Sequence, residues 1–123
     1  MINYDIPMNE LLNFEDLDFQ AHRGADDAVQ ARLDFGNGLS ISVVAGKDGR
    51  RGLYGSVEED LYEVAVFNDD GMIPLSPSDD VVGWQSPAQV SMLMAHAQVK
   101  GSAWVDELIA DKAEFRKDLG LDD

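Results

Sequence analysis

The most regular stretch of the chain is a pair of alternating segments. Val29, Ala31, Leu33 and Phe35 alternate with Gln30, Arg32 and Asp34, and after Gly36-Asn37-Gly38 the residues Leu39, Ile41, Val43 and Ala45 alternate with Ser40, Ser42 and Val44. A period of two puts successive side chains on opposite faces of a sheet, so these are two strands of a hairpin. Parity then selects the turn, because residues directly opposite one another share a face. A two-residue Asn37-Gly38 turn sets Phe35 against Ser40 and mixes the faces. A three-residue loop, 36–38, sets Phe35 against Leu39, Leu33 against Ile41 and Ala31 against Val43, and it gives Gly38 the left-handed position such loops require.

The other elements follow from the same reasoning. Pro7 suits the first turn of a short helix continued by Met8, Leu11 and Leu12. Leu17, Phe19 and Ala21 alternate with Asp18, Gln20 and His22 as a half-buried strand, and Leu53-Tyr54-Gly55 suits a short edge strand. Residues 61–67 form a further strand, with Tyr62, Val64 and Val66 on one face and Ala65 and Phe67 on the other; apolar residues on both faces predict an interior strand covered on both sides. Asn68-Asp69-Asp70-Gly71 turns the chain into 72–75, where Pro74 favours an edge position. The last third is helical. Ser86, Pro87 and Gln89 make a capping box for a helix over 87–100, with Val90, Leu93, Met94 and Ala97 inward and Gly101 ending it. Ser102 is placed to cap a second helix, in which Trp104, Leu108, Ile109, Phe115 and Leu119 recur at helical spacing before Gly120. The expected fold is one α+β domain, residues 1–123: an antiparallel sheet of about five strands with two C-terminal helices packed on one face.

Charge changes this picture. The 123 residues carry 24 Asp plus Glu against 9 Lys plus Arg, a net charge of −15, while 45% apolar residues suffice for one core. Residues 53–85 hold eight acids (Glu58, Glu59, Asp60, Glu63, Asp69, Asp70, Asp79 and Asp80) and no base. Most of these carboxylates have no cation near them in sequence, and the resulting field repels phosphate, which argues against direct binding of nucleic acid. The absence of cysteine excludes disulfides, thiolate catalysis and cysteine metal sites. Neither a bilayer-spanning run nor a secretory leader is evident, so a cytoplasmic protein without membrane contact is expected.

Catalytic chemistry finds little support. His22 and His96 are the two histidines, and no serine lies in a Gly-x-Ser-x-Gly elbow. The glycine-rich loop 46–52 bears Lys47, Arg50 and Arg51 but lacks a phosphate loop's Lys-Ser/Thr ending, so a solvated loop accounts for it better than an anion site. Asp69, Asp70, Asp79 and Asp80 offer oxygen ligands, yet Asn68-Asp69-Asp70-Gly71 lacks the spacing of a calcium loop, and turn chemistry explains it. No cofactor, metal site or catalytic set is expected. Trp84 and Trp104 flank the first helix; an exposed Trp84 would be an interface anchor.

The stretch Val29-Gln30-Ala31-Arg32-Leu33-Asp34-Phe35-Gly36-Asn37-Gly38 through Ser42-Val43-Val44 and Tyr62-Glu63-Val64-Ala65-Val66 to Asp79-Asp80-Val81-Val82-Gly83-Trp84 resembles small acidic proteins of bacteriophages and prophages. The resemblance covers roughly residues 17–99 and transfers no functional residue. It implies a setting in which such proteins inhibit host defence, as anti-CRISPR and anti-restriction proteins do by occupying nucleic-acid-binding surfaces. The leading expectation is therefore a non-enzymatic inhibitor in the host cytoplasm. Its partner is a host nucleic-acid-binding protein with a basic surface, engaged by Glu58, Glu59, Asp60, Asp69, Asp70, Asp79, Asp80 and Trp84. The alternative is a structural or assembly-associated phage protein that self-associates through a sheet edge or Trp84. A divalent-cation enzyme ranks third.

Overall fold

A computed structural model describes residues 11–21, 27–47 and 54–120. Its sheet runs in the order β1 (Gln20–Ala21), β2 (Ala28–Asp34), β3 (Ser40–Gly46), β4 (Tyr62–Asn68) and β5 (Gly71–Met72), and β6 (Val82–Gln85) also pairs with β4. Every pairing between these strands is antiparallel. Two helices follow, α1 (Pro87–Lys100) and α2 (Ser102–Asp118). The fold is the expected α+β arrangement, with the helices on one side of the sheet.

The hairpin register is the one parity selects. Leu33 faces Ile41 and Ala31 faces Val43, the Phe35 N–H donates to the Leu39 carbonyl across the loop at 3.0 Å, and Gly38 has φ 90. Across β3 and β4, Ile41 pairs with Val66 and Val43 with Val64. These four side chains therefore share the face on which Val90, Met94 and Ala97 of α1 and Trp104 and Val105 of α2 are buried with them in one core cluster. Ile41, Val43, Val64, Val66, Val90 and Met94 are fully enclosed, each contributing about 1.5–3 kcal/mol of burial. The Ser86–Gln89 capping box of α1 is formed in both directions.

Several expectations are corrected. Residues 11 and 12 are not helical; a 3-10 turn occupies Phe14–Asp16, capped by Asn13, and the part of the expected helix over 7–10 lies outside the described residues. Of the strand expected over 17–22, His22 lies outside the described residues and the rest shrinks to Gln20–Ala21, because Leu17 and Phe19 turn inward to the core cluster, where Phe14 and Phe19 pack on Tyr62 with ring centroids 4.9 and 5.3 Å away. Of the short strand expected at 53–55, Leu53 lies outside the described residues and Tyr54 and Gly55 are in no strand; isolated bridges join Ser56 to Gly46 and to Leu61. β4 is interior to the sheet, with Tyr62, Val64 and Val66 buried on one face; on the other Ala65 is buried and Glu63 and Phe67 are partly exposed. The edge strand expected at 72–75 is Gly71–Met72. Gly101, not Ser102, is the N-cap of α2 and supplies no side-chain bond. In α2, Trp104 and Val105 are buried, whereas Ile109, Phe115 and Leu119 are exposed, because the second half of the helix outruns the layer beneath it.

Candidate partner-binding site

The strands place the expected acidic residues in separate neighbourhoods. Glu58, Glu59 and Asp60 form the turn that enters β4, and Asp69 and Asp70 form the turn that leaves it. At roughly 3.3 Å per residue the seven-residue strand holds these groups about 20 Å apart. That is more than twice a Debye length of about 8 Å, so the two clusters act as independent charges. Asp79 and Asp80 lie on the loop before β6; Asp79 is bound into it by Ser76, and the Asp80 Oδ1 is 4.0 Å from the Lys112 Nζ of α2.

The cluster entering β4 is engaged by the chain itself. The Ser56 hydroxyl donates to Glu58 Oε1 at 3.2 Å, the Tyr62 hydroxyl donates to Asp60 Oδ1 at 2.8 Å, and the Tyr54 N–H donates to Glu63 Oε1 at 3.0 Å. Burial of the Tyr62 ring, and then the bond and the charge of Asp60, push the Tyr62 hydroxyl from 10.0 up to about 12. Asp60 itself has φ 57, a left-handed position that Asp tolerates because its short polar side chain bonds locally.

The opposite end of the sheet is built differently. Asn37, in the hairpin loop, donates from Nδ2 to the Ala97 carbonyl of α1 at 2.9 Å and accepts from the Leu39 N–H at Oδ1, so the loop is fastened to the C-terminal turn of the helix. Asn68 accepts from the Asp70 N–H at 2.9 Å and shapes the turn beside it. Between the loop, this turn and the start of α2 lies an open groove of about 370 Å³. Leu39, Val105 and Ile109 supply its apolar side chains, and Asp69, Asp70 and Asp106 its charges. An adjoining depression shares Gly38, Leu39, Asn68 and Asp69 and adds Asp34 and Phe67. No cationic side chain is among the described residues lining either.

The structure thus brings Asp69 and Asp70 together with Asp34, Asp106 and Ile109, and separates them from Glu58, Glu59 and Asp60. Asp106 and Ile109 were legible as neighbours, since a spacing of three puts them on one side of a helix. What lies opposite them was not.

Trp84 is half exposed, as an interface anchor requires, and it is held there by the backbone. Tyr62 pairs with Gln85 and Val64 with Val82, leaving Glu63 opposite both Gly83 and Trp84 in a bulge. Trp84 takes φ 55 at that bulge. A bulky residue in the left-handed region costs about 1–2 kcal/mol. Gly83 lets Tyr54 pack against the bulge, since an added Cβ would collide with the Tyr54 Cβ. The Trp84 N–H donates to the Tyr54 carbonyl at 2.7 Å and the Gln85 side chain donates to the Gly83 carbonyl at 2.9 Å, so two of this strand's backbone groups are already engaged by the chain itself. Trp104 is core, and His96 stacks on it with ring centroids 5.7 Å apart.

Among the described residues, no group of three or more His, Cys, Asp or Glu is arranged to hold a metal ion, and no helix is long and apolar enough to cross a membrane. His22 and the loop residues Arg50 and Arg51 lie outside the described residues. The chain matches no family model, no curated protein and no solved structure.

Proposed function

We propose that the protein is a non-enzymatic acidic inhibitor that occupies a basic surface of a nucleic-acid-handling protein with the carboxylates at the groove end of its sheet. The observation that carries this reading is the convergence of Asp34, Asp69, Asp70 and Asp106 around adjoining depressions with no described cation in their lining. An excess of charge of one sign at a concave site raises the association rate with an oppositely charged partner and makes binding salt-dependent. The resemblance to phage proteins supplies the setting, a host defence or replication protein whose basic cleft normally holds DNA or RNA. Capture from a host lysate with and without excess duplex DNA tests it. The reading expects a captured protein that DNA and salt both displace; capture indifferent to both overturns it.

A second reading, a structural or assembly module, is favoured by Trp84. Holding an indole half exposed at a strained bulge is unfavourable for the free chain and is offset when a partner buries it. Such a contact is apolar and tolerates salt, which separates the two readings in one titration.

A further inference from the structure

The groove is more than a patch of charge, because its floor is apolar. Leu39 and Val105 are almost wholly buried, but Ile109 beside them is 52% exposed, and it lines the groove together with Asp69, Asp70 and Asp106. An apolar floor within a rim of one charge is complementary to a segment with the reverse arrangement, an apolar side chain flanked by cations.

We propose that this groove docks a short amphipathic basic segment of the partner. Its apolar side chain packs on Ile109, Leu39 and Val105, and its Lys or Arg side chains reach Asp69, Asp70 and Asp106. The inference rests on the acidic-inhibitor reading and narrows it from a charged face to one groove. Size permits it, since the open groove holds about 370 Å³. Position agrees as well. The groove is walled by the hairpin loop, fastened to α1 through Asn37, and by the first turns of α2, anchored through Trp104 and Val105. It is therefore preformed, and docking orders little of the protein.

Two peptides of equal length and equal charge test the proposal by calorimetry at low salt: one places Leu among Lys at helical spacing, and the other carries Ser at the Leu positions. The Lys/Leu peptide is expected to bind at least tenfold more tightly. Ile109→Ser should remove that difference and leave the Lys/Ser affinity unchanged, while the combined Asp69→Asn, Asp70→Asn and Asp106→Asn variant should weaken both peptides. Ile109 is exposed, so its replacement leaves the core intact; circular dichroism and the thermal midpoint verify this. Equal affinity for the two peptides, or a preference that survives Ile109→Ser, overturns the groove. If DNA-displaceable capture persists in that case, the acidic-inhibitor reading stands without it; if capture fails as well, both fall.

Discussion

The two ends of β4 carry similar acidic turns put to different uses. Where the strand begins, the carboxylates of Glu58, Asp60 and Glu63 accept hydrogen bonds from Ser56, Tyr62 and Tyr54 and hold the chain's own turn in shape. Where it ends, the hydrogen bonds that shape the structure involve the amides of Asn37 and Asn68 and the carboxylate of Asp34, which accepts from the Gly36 N–H at 2.8 Å, while the carboxylates of Asp69, Asp70 and Asp106 border an open groove. Composition alone makes the two turns equivalent. What separates them is which side chain shapes each turn of β4: after the strand the Asn68 amide does it, and the charges of Asp69 and Asp70 are left to act outward.

This contrast can be broken by substitution, and the largest effects belong to the backbone of the groove end. Gly38 has φ 90 with open space around it, so Gly38→Ala pays no steric clash yet should lower stability by about 1–2 kcal/mol through its left-handed conformation alone. Denaturant titration reads this as a lower midpoint at unchanged slope. Asn37→Ala removes the tie to the Ala97 carbonyl and the bond from the Leu39 N–H, which should cost about 1 kcal/mol. It should also weaken binding at the groove, because the hairpin loop is no longer fastened to α1.

At the far end the same kind of change should do less. Asp60→Asn keeps a residue suited to the left-handed region and retains an acceptor for the Tyr62 hydroxyl, so a shift within about 0.5 kcal/mol is expected. A loss as large as that of Asn37→Ala would mean that the charge of Asp60, not its shape, holds the turn. The pH dependence is the finest of these measurements. The folded Tyr62 hydroxyl titrates near 12 against 10.0 in the unfolded chain, so the folded state keeps its proton longer. The resulting stabilisation is complete below pH 10 and is lost as pH rises from 10 to about 12. Stability measured over that window should fall in the parent, and the part of the decline due to this group should be missing in Tyr62→Phe.

Much of the fold was legible because period and parity are strong constraints. The three-residue hairpin loop followed from matching faces, and α1 followed from Ser86, Pro87 and Gln89 at its start and Gly101 at its end. β6 was missed because four residues interrupted by a bulge show no alternation, and the 17–21 segment was overextended because Leu17 and Phe19 alternate yet serve the core from outside the sheet. The site was less legible than the fold. Asp69 and Asp70 were identified from local charge, but Asp34, Asp106 and Ile109 join them only through the tertiary packing of the hairpin loop and α2. Ile109 and Phe115 recur with Trp104 and Leu108 at helical spacing, which cannot tell where the layer beneath a helix stops.

The central claim is that outward-acting charge resides at one end of the sheet. Two variants of equal net charge test it: Asp69→Asn with Asp70→Asn and Asp106→Asn, and Glu58→Gln with Glu59→Gln and Asp60→Asn. Each removes three negative charges from the −15 of the parent. Affinity for a DNA-displaceable partner, measured by calorimetry across a salt series, should fall by about tenfold or more in the first variant, with a shallower salt slope, and by less than about threefold in the second. Equal losses in both variants would contradict the account, since they would mean that the partner senses total charge and not the groove.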